Sequence, residues 1–184
     1  MLIEHNRQKL VNAITYFVTN TKFCGKTKLF KLLYFLDFEH FSQTGRSVTE
    51  LEYFAWKMGP VPKKLFNELK NPCAEFSQAF DVNTKQTING DDMLDIKPLL
   101  PFSADFFSKR EIKILESLAI EFNASYAKDM VDATHLENLP WHEIYEVKGL
   151  KQELIPYELA LNKAEFEQVI KNVYEHIEFK EHYR

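Results

Sequence analysis

The stretch 26–44 carries two apolar stripes at once. Leu29, Leu32, Leu33 and Leu36 recur at helical spacing on one side, and Phe30, Tyr34, Phe38 and Phe41 recur on nearly the opposite one. A helix with two apolar faces cannot lie on a protein surface with water against either of them. It has to be the central element of the fold, or be covered on its second face by a partner. Gly45 follows as its natural C-terminal stop, because glycine adopts the left-handed conformation that ends a helix without steric cost. With 184 residues there is enough chain to wrap such a helix in one domain.

The flanking segments supply the wrapping. Leu10, Ile14, Phe17 and Val18 define an amphipathic helix over 4–19, and Gly25 interrupts the pattern. Segment 48–56 is rich in β-branched and aromatic residues and reads as extended. At Gly59-Pro60-Val61-Pro62, the first proline forces Gly59 out of the helical region. Pro62 then suits the first turn of a helix through Leu65, Phe66 and Leu69, which Asn71-Pro72 ends. The runs 80–88 and 93–96 flank Asn89-Gly90-Asp91-Asp92, a β-hairpin signal. Ser108-Lys109-Arg110-Glu111 is a capping box that opens a helix with Ile112, Leu115, Leu118, Ala119 and Phe122 on one face. Short helices over 126–136 and from Trp141 come next. Asn162 and Glu165 then open a C-terminal helix striped by Phe166, Val169, Ile170, Val173 and Ile177. The expected fold is mainly α: a single domain over 1–184, with five or six helices around the central one and a small β-hairpin.

Charge and composition narrow the function. A formal net charge of -4 disfavours general affinity for nucleic acid. The one basic concentration, Lys22, Lys26, Lys28 and Lys31, is expected to be a solvated face whose stems snorkel along apolar surface. Cys24 and Cys73 are far apart and suit reduced, buried thiols in the cytoplasm. The N-terminus has no apolar signal core and no run of 18 apolar residues occurs, so neither secretion nor a membrane span is expected. The five glycines are scattered and form no phosphate-binding loop, so no cofactor is expected.

Two constellations bear on chemistry. Asp129, Asp132 and His135, with His142 nearby, have metal-ligating side chains, and a metal-dependent hydrolase built on them is one alternative reading; a DNA-binding phage or mobile-element regulator, for which the Lys22 to Lys31 cluster is the only feature, is the other. Their spacing matches no ligand motif, and a solvated polar helix face accounts for them more simply. His40, which follows Asp37 and Glu39, is a lone histidine of the packed or exposed kind. No residue is assigned a catalytic role.

Four pieces carry a resemblance by their order and spacing: Lys28-Leu29-Phe30-Lys31-Leu32-Leu33-Tyr34-Phe35-Leu36-Asp37, the run from Gly45 through Tyr53, Gly59-Pro60-Val61-Pro62, and later Leu139-Pro140-Trp141. Together, over roughly 6–146, they resemble the Panacea domain of SocA-like antitoxins. The resemblance implies a non-enzymatic antitoxin, encoded beside its toxin on a mobile element or in a phage-defence setting, that neutralises the toxin by direct protein contact. A protease partner is a further implication, since a related protein acts as a protease adaptor. The expected partner surface is Phe30, Tyr34, Phe38, Tyr53, Trp56, Gly59, Pro60 and Val61, where large rings offer anchors. The same rings, and Trp141, can equally fill the core, with Gly59 and Pro60 only shaping a turn.

Overall fold

Helix α2 (Lys26–Thr44) runs through the middle of the molecule, and eleven of its nineteen residues are buried, on both stripes. This computed structural model describes residues 2–87, 90, 92–136 and 139–161. Gly45 ends α2 in the left-handed conformation (φ 73°), its amide donating to Phe41 O at 2.8 Å. Helix α1 (Leu2–Asn20) lays Leu10, Ile14 and Phe17 against it, and α5 (Lys109–Glu121) covers another flank with Ile114, Leu115 and Leu118. The start of α5 is the expected capping box: Ser108 Oγ accepts from the Glu111 amide (3.3 Å), and Glu111 Oε2 accepts from the Ser108 amide (2.6 Å). Glu111 also takes the Lys9 ammonium at 2.5 Å, which ties α5 to α1.

The fold is mainly α with a minor β component, as expected. The expected hairpin is present as β3 (Phe80–Gln86) and β4 (Asp92–Pro98); Ile88, Asn89 and Asp91 lie outside the described residues. A second hairpin was not foreseen. The extended segment narrows to β1 (Tyr53–Trp56), and Gly59-Pro60-Val61-Pro62 is itself a strand, β2 (Gly59–Pro62), buried along its length. Two prolines fit a strand here because of the register. Trp56 pairs with Gly59 across a two-residue turn, so Ala55↔Pro60 and Tyr53↔Pro62 fall at the non-hydrogen-bonded positions. Ala55 and Tyr53 turn their backbone groups to the other edge instead. There Ala55 N donates to Glu153 O, Gln152 N to Ala55 O and Ile155 N to Tyr53 O, at 2.8–2.9 Å.

Helix α3 (Lys63–Lys70) starts directly after Pro62 as expected, and the sequence reading missed α4 (Ala74–Ala79). Helix α6 (Ala127–Thr134) leads to a single turn, α7 (Pro140–His142), which runs on as a π-turn through Glu143–Val147. The C-terminal helix expected from Asn162 lies outside the described residues. Among the described residues no helix is long and apolar enough to cross a membrane.

Candidate partner-binding surface

Buried polar contacts weld α2 to the hairpin and to α6–α7. The Asp37 carboxylate is fully buried and accepts four hydrogen bonds: from the amides of Val48 (2.8 Å) and Thr49 (2.7 Å), from Thr49 Oγ1 (2.5 Å) and from Tyr53 Oη (2.7 Å). Burial pushes its carboxyl up to about 6, and the four donors oppose that shift. The loop after Gly45 is thereby pinned onto the helix. One turn from the other end of α2, Lys31 Nζ donates to Pro60 O at 2.8 Å, and burial lowers its ammonium to about 7. Gly59 sits at φ +93° above this lysine. A Cβ there would lie 2.7 Å from Thr134 Oγ1 and 2.8 Å from Lys31 Nζ, so α2, β2 and α6 close on a position that only glycine fits. Trp141 completes the weld: its Nε1 donates to Trp56 O (2.9 Å), and its ring stacks on His135 at 3.6 Å and on Tyr145 at 4.7 Å.

Seven of the eight residues expected to face a partner are buried in this chain: Phe30, Tyr34, Phe38, Tyr53, Gly59, Pro60 and Val61. Tyr34, Phe38, Tyr53 and Tyr157 form one aromatic cluster, with ring centroids 4.3 to 6.3 Å apart. Trp56 is the eighth and is half-buried. Strand alternation turns Tyr53 and Ala55 inward and Phe54 and Trp56 outward. On that outer side Trp56 meets Phe66 of α3 edge-on at 5.1 Å. Lysine ammoniums sit over the rings: Lys26 and Lys70 over Phe66 (5.1 and 4.2 Å) and Lys63 over Phe54 (5.5 Å). Lys63 and Lys70 were not singled out from the sequence, and Phe66 was read only as an apolar residue of α3. The period-two pattern of β1 was the available signal for Phe54; that Phe66 meets Trp56 follows only from the packing of α3 on β1.

Other expectations need correction. Lys28 and Lys31 are buried, so only Lys22 and Lys26 of that basic cluster reach solvent. The reason is geometric: four carbonyls converge on the Lys28 ammonium and satisfy it away from water, while packing of β2 and α6 over α2 encloses Lys31 with the single carbonyl of Pro60. Cys73 precedes α4 and is exposed beside Glu68 and Arg7, while Cys24 is half-buried with its thiol pushed up to about 11 by burial. His40 is packed, its Nδ1 2.7 Å from Arg46 O.

The metal candidates are engaged elsewhere. Asp129 accepts from the Tyr126 amide (2.7 Å) at the start of α6, Asp132 is exposed, and His135 is stacked on Trp141. Among the described residues no group of three or more His, Cys, Asp or Glu side chains gathers where it could hold a metal ion.

A second surface feature lies further along α2, towards its C-terminal end. It is a groove of about 310 Å³ floored by Tyr34, Phe35 and Phe38 and rimmed by Glu39 and Glu121, with Leu139, Pro140 and Leu159 closing one side. Phe35 and Phe122 stack within it at 5.4 Å.

Among known protein families, the one described as antitoxin SocA-like, Panacea domain, matches residues 29–142. The matched span begins inside α2, ends at α7 and takes in the Asp37, Lys31, Gly59 and Trp141–Trp56 contacts, while Lys28 and Cys24 precede it and Tyr145 and Tyr157 follow it. No curated protein and no solved structure gives a significant match.

Proposed function

The chain belongs to the family of SocA-like antitoxins with a Panacea domain, and from that premise we propose that it holds a cognate toxin inactive by direct protein contact in the cytoplasm. The family match over residues 29–142 carries this reading. Its support from the structure is that the buried ionisable groups of α2 are committed to holding the fold. Asp37 and Lys28 each spend four contacts on the chain's own backbone and side chains, and both are buried among the described residues.

The contact face in this reading is the outer side of the β1–β2 hairpin with α3, where Trp56, Phe54 and Phe66 keep part of their surface free. Trp56 is its anchor, because a half-buried tryptophan on a rigid strand gives large contact area at small entropic cost. Tyr34, Phe38, Tyr53 and the Gly59–Val61 strand act behind it, by fixing the hairpin in place.

The test is co-expression with the product of the adjoining gene, scored by growth and then by copurification. Growth rescue with a stable complex supports neutralisation by contact. Rescue accompanied by disappearance of the toxin points to delivery to a protease. Trp56→Ala is expected to weaken the complex at least about ten-fold while the chain stays folded by circular dichroism, since the Trp141 bond uses the Trp56 carbonyl and the ring loses only its outer contact with Phe66. A harmless neighbour that never copurifies would overturn the proposal.

A further inference from the structure

The chain is acidic as a whole, at -4, yet one face of it is basic. Lys26, Lys57, Lys63, Lys64 and Lys70 are all exposed, and they surround the outer side of β1 and α3. Among the described residues none of the five has a carboxylate within ion-pair distance. Glu68, the acidic residue of α3, spends its carboxylate on Arg7 through two bonds of 2.5 and 2.8 Å. Glu52, two positions before Phe54, borders the face. Three of the lysines are held over aromatic rings, so their stems are partly ordered before any partner arrives.

From this we propose that the hairpin–α3 face takes an acidic protein surface, one presenting several Asp or Glu side chains around an apolar anchor. The proposal rests on the antitoxin reading for the identity of the partner, the toxin, and adds the chemistry of the toxin's contact site. Charge complementarity sets the class. Ammoniums with no ion-pair partner among the described residues, ringing an apolar centre, are matched by carboxylates ringing a hydrophobic side chain, with Trp56 receiving the latter.

A protein fits better than a nucleic acid for two reasons. The Phe66 and Phe54 rings already carry lysines over them and are not free platforms for base stacking. The cations are lysines without arginine forks, on a chain whose net charge repels a long polyanion.

The experiment compares wild type with the triple reversal Lys26→Glu, Lys63→Glu, Lys70→Glu and with a control reversal on α5, Lys109→Glu with Lys113→Glu. Circular dichroism and melting establish that each is folded; a Lys→Gln triple replaces the reversal should it not fold.

If wild type rescues growth from the neighbouring toxin, the hairpin triple is expected to lose rescue and bind at least about ten-fold more weakly. The control should bind normally, and rising salt should weaken the wild-type complex. Unchanged binding by the triple overturns the inference while leaving the antitoxin reading intact.

If wild type does not rescue, the antitoxin reading fails separately, and a fluorescein-labelled peptide of repeated Glu-Asp-Phe units decides the face. Salt-sensitive binding that the triple abolishes supports the inference. Equal binding by wild type and triple, no binding by either, or tighter binding of a DNA oligomer through the same lysines overturns it.

Discussion

Two lysines buried one turn apart on α2 are treated in opposite ways by the rest of the chain. Lys28 Nζ lies among four carbonyls, those of Lys22 (2.7 Å), Phe122 (2.6 Å), Asn123 (3.1 Å) and Ser125 (2.8 Å). Three of them come from the C-terminal end of α5 and the residues after it, where outward-turned carbonyls and the helix dipole both favour a cation. Lys31 Nζ has the single carbonyl of Pro60. Its surroundings are underpaired as well: His135 Nε2 is buried without a hydrogen-bond partner among the described residues, and burial, then the Lys31 charge, lowers the His135 imidazole.

Lys28 is thus a staple between the ends of α1, α2 and α5. Lys31 is a single tie from the helix to β2, made at some electrostatic cost. Asp37 is the counterpart of Lys28 with the sign reversed, four donors gathered on one buried carboxylate. The lesson is that burial alone says little about what a charge contributes; the number of groups that turn towards it decides.

Stability measured by urea unfolding can break or sharpen this contrast. The largest loss is expected for Asp37→Ala, about 4 kcal/mol, because four buried donors are left facing an apolar methyl. Lys28→Met should follow at about 3 kcal/mol, since four carbonyls lose their common donor in one step. Gly59→Ala is expected to cost about 2 kcal/mol, from the positive φ and from the approach of Lys31 and Thr134 to the new Cβ. That cost should shrink in a Lys31→Ala background, and a double-mutant cycle with no coupling would show that Lys31 does not press on Gly59.

The smallest effect is expected for Lys31→Met, within about 1 kcal/mol in either direction, because removing a poorly paired buried charge offsets the loss of one hydrogen bond. A loss equal to that of Lys28→Met would end the contrast.

The two lysines also differ in pH dependence. Lys31 titrates near 10.5 when unfolded and at about 7 when folded, so between those values the unfolded chain binds more protons. Its burden on stability is full below about 7 and is relieved as pH rises towards 10.5. The difference in unfolding free energy between wild type and Lys31→Met should therefore move in favour of wild type across that window. A flat difference would mean that the ammonium is better solvated than its burial implies.

Much of the frame was legible in the residues alone. Two apolar stripes on 26–44 predict a central helix because helical periodicity is local, and α2 has those boundaries and that burial. Gly45 and the Ser108–Glu111 box predict a stop and a start, since a cap needs only the residues within one turn of it. The same local logic failed where a partner from a distant segment decides.

Lys28 reads as a surface residue until the Phe122 carbonyl, 94 positions away, is brought to 2.6 Å of it. Gly59-Pro60-Val61-Pro62 reads as a turn because its prolines cannot donate, and becomes a strand because β1 directs its spare groups to 152–155. Which of the rings would stay outside was likewise undetermined: Tyr34 and Tyr53 turn into the core while Trp56 and Phe66 remain at the surface. Periodicity and capping are fixed within a few residues by backbone geometry. The satisfaction of a buried charge, and the choice of which ring meets solvent, depend on groups that only the folded chain brings together.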